Sequence, residues 1–144
     1  MDKTRQPGIQ ISQVFLERVA FSHRADHLEY PATTMVSPEL QIEMQTGISS
    51  DRRRGIVRVQ LSTKDEERPL YSVSIEMTAL VEQIEGEENF DVEPYLQSNG
   101  WALLFPFLRE SLANITSRGR FGPIYLNPVN VLALVAEGSA ARDS

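Results

Sequence analysis

The chain contains no cysteine. That excludes disulfides, thiolate metal ligands and a cysteine nucleophile, and it suits a reducing compartment. Positive charge is also scarce: 14 Lys and Arg stand against 20 Asp and Glu, for a formal charge of −6. Neutralising phosphates takes clustered Lys and Arg, so no nucleic-acid partner is expected. No apolar run approaches the roughly 18 residues that span a bilayer, so no membrane insertion is expected. The polar opening Met1–Pro7 runs straight into alternating residues and reads as no signal peptide, which points to the cytoplasm.

Chemistry-bearing motifs are missing too. The sequence holds neither a nucleophile elbow of the G-x-S-x-G type nor either glycine-rich phosphate loop. Its only histidines, His23 and His27, flank Asp26, but a metal site needs further ligands on rigid elements. That pair reads as part of a solvated loop. The expectation is a protein without catalytic residues, metal or cofactor.

What remains is a balanced globular composition, 41% hydrophobic and 24% charged over 144 residues, enough for one domain spanning the chain. Its first half is written in period two. Leu40, Ile42 and Met44 alternate with polar residues, as do Val57, Val59 and Leu61, and then Tyr71, Val73, Ile75 and Met77. Ile9, Ile11, Phe15, Val19 and Phe21 fall on one face of an N-terminal stretch, with Val14, Leu16 and Ala20 on the other. Two-sided apolarity predicts either a bulged strand or one whose second face another subunit covers. Short polar turns at 49–55 and 65–69 fit hairpins, whereas His23–Pro38 is a long loop carrying Leu28, Tyr30, Met35 and Val36. Arg52, Arg53 and Arg54 read as a solubilising hairpin tip, and Glu82–Glu93 as a solvated acidic connection or an acidic docking surface.

The period then changes. Trp101, Leu104, Phe105, Leu108, Leu112 and Ile115 recur at helical spacing, with Ser98 or Asn99 as start, Gly119 as stop and Pro106 as a kink or division. Asn127 and Pro128 open a shorter helix from Val129. Strands first and helices last give an α+β domain: a four-stranded antiparallel sheet with a long kinked helix and a short C-terminal helix on one face.

Leu104–Glu110 reads L-F-P-F-L-R-E, and Ser117-Arg-Gly119, Phe121, Leu126 and Pro128-Val-Asn130 follow at fixed spacing. This segment resembles the protein-export chaperone SecB family. The resemblance implies an ATP-independent holdase, a homotetramer built as a dimer of dimers, that binds unfolded client polypeptides. In the export branch it also implies handover to the motor ATPase of the Sec translocase. Client-peptide binding would then fall on Leu28, Tyr30, Met35, Val36, Leu40, Phe107, Tyr125 and Leu134. The oligomer interface would fall on Val14, Leu16, Trp101, Phe105, Leu108 and Leu112. The positions where the family docks the motor fall on Arg18, Ser22 and Ser74, none of them acidic, and the tail beyond Glu137 is short. The alternative keeps the fold but dedicates it to one partner, such as a toxin–antitoxin component, without coupling to export.

Overall fold

The computed structural model describes residues 5–6, 8–23, 29–31, 33–34, 36, 38–64, 70–84 and 91–126. Each alternating stretch becomes a strand: β2 (Ile9–His23), β3 (Leu40–Ile48), β4 (Arg54–Thr63) and β5 (Tyr71–Gln83). They form an antiparallel sheet, and a two-residue strand β1 (Arg5–Gln6), not expected from the sequence, pairs with the start of β2. The strand order is β1-β2-β5-β4-β3. The expected four-stranded architecture holds, with this one short addition at its edge.

Two register shifts settle the ambiguous N-terminal stretch. β2 pairs with β5 through breaks between Ile11 and Gln13 and between Leu16 and Arg18. Each break turns the following side chains over, because the strand period is two. Ile9, Ile11, Val14, Leu16, Val19 and Phe21 therefore share one face, opposite Gln83, Val81, Ala79, Met77, Ile75 and Val73 of β5. Phe15 and Ala20 lie on the other face, so the unbulged assignment of Val14, Leu16 and Phe15 is corrected.

That shared face carries the core. Val57, Val59 and Leu61 of β4 and Ile75, Ala79 and Val81 of β5 are almost fully buried beneath α1 (Val92–Thr116). The helix meets them with Val92, Leu96, Leu104, Leu108 and Leu112. Gly100 lets the backbones approach: a Cβ there would stand 3.1 Å from Val57 Cγ2.

The helix starts well before Ser98 or Asn99. Asp91 occupies the cap position, and Val92, Leu96 and Gly100 extend the buried stripe toward the N-terminus. Pro94 fits the first turn, whose N–H groups have no intrahelical partner. Part of the acidic run thus belongs to β5 and α1, not to a solvated connection. Arg52, at a positive φ of 61°, reaches Asp91 and Glu93 at 3.2 Å each and ties the β3–β4 hairpin to the helix start. Pro106 does not divide α1, which runs as one element past it. The expected helix from Val129 and residue Leu134 lie outside the described residues.

Beyond α1 the chain is stitched back onto the sheet. Thr116, fully buried, donates to the Leu112 carbonyl at 2.6 Å and accepts the Ile124 N–H at 2.8 Å. Tyr71, also fully buried, donates to the Gly122 carbonyl at 3.0 Å and accepts the Phe121 N–H at 2.7 Å. Removing that hydroxyl strands a donor and an acceptor together. Tyr71→Phe is expected to cost about 1–3 kcal/mol in chemical denaturation, the range for an orphaned buried hydrogen-bonding group; an unchanged midpoint and slope would contradict this role.

Candidate functional site

The helix-facing side of β2 begins buried and ends in the open. Ile9 and Ile11 are 0% and 6% exposed, whereas Leu16 and Val19 stand at 48% and 40%. Their partners across the ladder, Met77 and Ile75, are 3% and 0% exposed, so cover is lost between one strand and the next. The outer edge of β2 is open as well. β1 pairs only with Ile9 and Gln10, and among the described residues no strand lies along that edge of β2, the one away from β5, from Ile11 to His23. An open edge offers a row of N–H and C=O groups to another extended chain.

Aromatic rings continue this strip. Phe21 meets Tyr71 edge-on at 5.2 Å, His23 stacks on Phe121 at 5.5 Å, and Tyr30 contacts Phe121 edge-on at 6.3 Å. Arg120 holds its guanidinium 4.8 Å above the Phe121 ring. His23 is therefore a half-buried strand residue in an aromatic cluster, not part of a solvated loop. His27 lies outside the described residues. No group of three or more His, Cys, Asp or Glu among the described residues is placed to hold a metal ion.

The predicted client-binding residues separate. Tyr30 joins the aromatic end of the strip. Leu40 opens β3 at the same end of the sheet, in the row Phe21, Val73, Thr63, Leu40. Val36, Leu40 and Phe107 are half-buried and pack against the core. Tyr125 is 65% exposed between buried Ile124 and Leu126, so its neighbours fix it while its own ring stays free. Leu28, Met35 and Leu134 lie outside the described residues.

The predicted interface residues divide differently. Val14 and Leu16 lie on the strip, and Trp101 packs edge-on against Phe105 at 5.3 Å. Leu108 and Leu112, at 1% and 0% exposed, spend their surface on the chain's own sheet. Sequence reasoning missed Val19 and Phe21 as site residues. The clue was the two-sided apolarity of 9–21, which bulges convert into one long apolar face.

The opposite face of the sheet is polar. At the second bulge of β2, Glu17 accepts hydrogen bonds from the Thr78 hydroxyl at 2.6 Å and from Arg58 at 3.1 Å. Arg58 also stands 3.5 Å from Glu76. Arg18 pairs in register with Glu76 on this face, in the company of Ser22 and of Ser74. The Thr78 hydroxyl, followed by Arg58, holds the Glu17 carboxyl below the usual glutamate range. A carboxyl lowered in the folded state contributes stability above its unfolded pKa, and that contribution is lost as pH falls through the folded value. Glu17→Gln is therefore expected to flatten the loss of thermal stability on acidification below the usual glutamate range. Parallel acid limbs for the two proteins would contradict it.

No helix of the described residues is long and apolar enough to cross a membrane. The family model for SecB, described as preprotein translocase subunit SecB, matches residues 2–142. The protein-export protein SecB of Jannaschia sp. is 26% identical, over 96% of this chain and 84% of its own. That of Azoarcus sp. is 27% identical, over 99% and 95%. In fold, the chain is similar to the SecB-like chaperone of Mycobacterium tuberculosis, solved with a ChAD peptide from the HigA1 antitoxin. The TM-score is 0.64 at 18% identity, covering 84% of this chain and 87% of that one. The sheet with its single long helix and the match over almost the whole sequence agree, and the chain belongs to the SecB family.

Proposed function

We propose that this protein is an ATP-independent holdase that keeps client polypeptides unfolded by binding their extended apolar segments along β2. The observation that carries this reading is the exposed Leu16–Val19 strip lying beside an open strand edge. Side chains supply apolar contact, and the edge supplies backbone hydrogen bonds that any sequence can match. That combination selects for unfoldedness more than for sequence. Folded proteins present neither an extended backbone nor a run of free apolar side chains.

In this reading the protein works in the cytoplasm as a homotetramer, Trp101 and Phe105 remain the candidate assembly residues, and Val14 and Leu16, expected at the interface, pass to the client strip. Its clients are precursors bound for export, with handover to the motor ATPase of the Sec translocase. A second reading, one dedicated partner without export, draws support from Arg18. It places a cation where the resemblance expects an acidic motor-docking residue. Pull-down separates the two: a heterogeneous set of precursors supports the first, and one stoichiometric partner the second.

The holdase is tested by aggregation of a chemically unfolded client. Suppression is expected at near-stoichiometric ratio without nucleotide. Leu16→Ser with Val19→Ser is expected to weaken client affinity by about 2 kcal/mol, roughly thirtyfold, from the apolar area lost to each half-exposed side chain. No suppression with several clients would contradict the proposal. Light scattering is expected to give a tetramer at micromolar concentration, and a monomer would contradict the assembly.

A further inference from the structure

β2 changes phase at Glu17, and that change decides which of its side chains reach the apolar strip. Leu16 pairs with Met77 and Arg18 with Glu76, so Glu17 is the extra residue of the bulge. Without the bulge, strict alternation would continue from Leu16. Arg18, Ala20 and Ser22 would then stand opposite Ile75, Val73 and Tyr71, where Val19, Phe21 and His23 stand now. The strip beyond Leu16 would become cationic and polar, with the valine and the aromatic rings turned to the other face.

Few constraints besides Glu17 enforce the observed register. Among the described residues, β2 beyond Ile11 has β5 as its one strand neighbour. Apolar residues occupy both phases between Val14 and Phe21. Val19 is exposed even in the observed register, so turning it over forfeits little burial. An arginine in its place could keep its charged head in water. The edge-on contact of Phe21 with Tyr71 favours the bulge.

Glu17 adds a fixed anchor. Its Oε1 accepts from the Thr78 hydroxyl at 2.6 Å and from Arg58 at 3.1 Å. One oxygen thus ties β2 to β5 and, across it, to β4. Thr78 is fully buried, and a buried hydroxyl deprived of its acceptor is costly. In the alternating register Glu17 would oppose Glu76 directly, like charge against like charge.

We propose that Glu17 is a positioning residue for client binding: its clamp on Thr78 and Arg58 holds the bulge that aims Val19 and Phe21 at the client. Glu17 itself lies on the polar face and touches no client. This inference rests on the β2 strip as the client site. It gives the polar network behind the strip a part in recognition, that of setting the phase of the strand.

The test uses the full chain and a permanently unfolded client, reduced and carboxymethylated lactalbumin labelled with fluorescein, read by anisotropy. Glu17→Ala is expected to weaken binding roughly tenfold or more, at a temperature where circular dichroism shows the variant folded. Glu17→Gln keeps an oxygen that accepts from both donors, and it is expected to bind within about threefold of the parent protein. Thr78→Val removes the hydroxyl with little change of shape. It is expected to weaken the client about threefold or more, and it decides the matter should Glu17→Ala fold poorly. Equal losses in Glu17→Gln and Glu17→Ala would overturn the proposal, since the accepting oxygen would then not matter. Leu16→Ser with Val19→Ser separates the two possible failures. A client weakened by that pair but by neither Glu17→Ala nor Thr78→Val overturns the clamp and leaves the strip standing. A client that none of these changes weakens overturns both.

Discussion

The one helix among the described residues cannot cover this sheet. A helix with its side chains is about 10–12 Å across, whereas the axes of four strands span about 14 Å before their side chains are added. α1 lies over β3, β4 and β5 and touches β2 least. Its buried stripe is spent on Val57, Val59, Ile75 and their neighbours. The face of β2 is what remains over. Nothing else in the architecture needs to be special for an exposed apolar strip to exist: the shortfall of cover produces it, and the bulges of β2 fill it with Val14, Leu16, Val19 and Phe21.

The two faces consequently present different chemistry. On the helix side, apolar residues and aromatic rings adjoin the outer edge of β2. On the other side, Glu17, Arg58, Glu76 and Thr78 form a fixed polar network. Arg18 lies on that polar face, so its charge bears on whatever docks there and leaves the apolar strip alone.

Most of the fold was legible because period two survives wherever one face is buried. β3, β4 and β5 fall where Ile42, Val59 and Ile75 alternate with polar residues. β2 was ambiguous for a physical reason: a bulge is a shift of a single residue, and no pattern in Ile9–Phe21 marks it apart from apolar residues in both phases. The start of α1 was misplaced because the acidic run reads as a connection, although Glu93 and Pro94 suit a first helical turn and Val92 and Leu96 are buried on the sheet. Among the residues expected at the site, Tyr30 packs on Phe121 and Val14 on the core, while Leu16 stands 48% exposed. Leu108 and Leu112 were not separable from Trp101 and Phe105, since helical spacing shows an apolar stripe but not how much of it the chain's own sheet consumes.

The central claim is that unfolded chains lie along the uncovered face and edge of β2. Amide hydrogen exchange of the protein with and without a saturating unfolded client tests it most directly, because an added strand protects the edge amides it pairs with. New protection is expected between Ile11 and His23, with little change in β4. Protection absent from β2 and confined to other elements would contradict it.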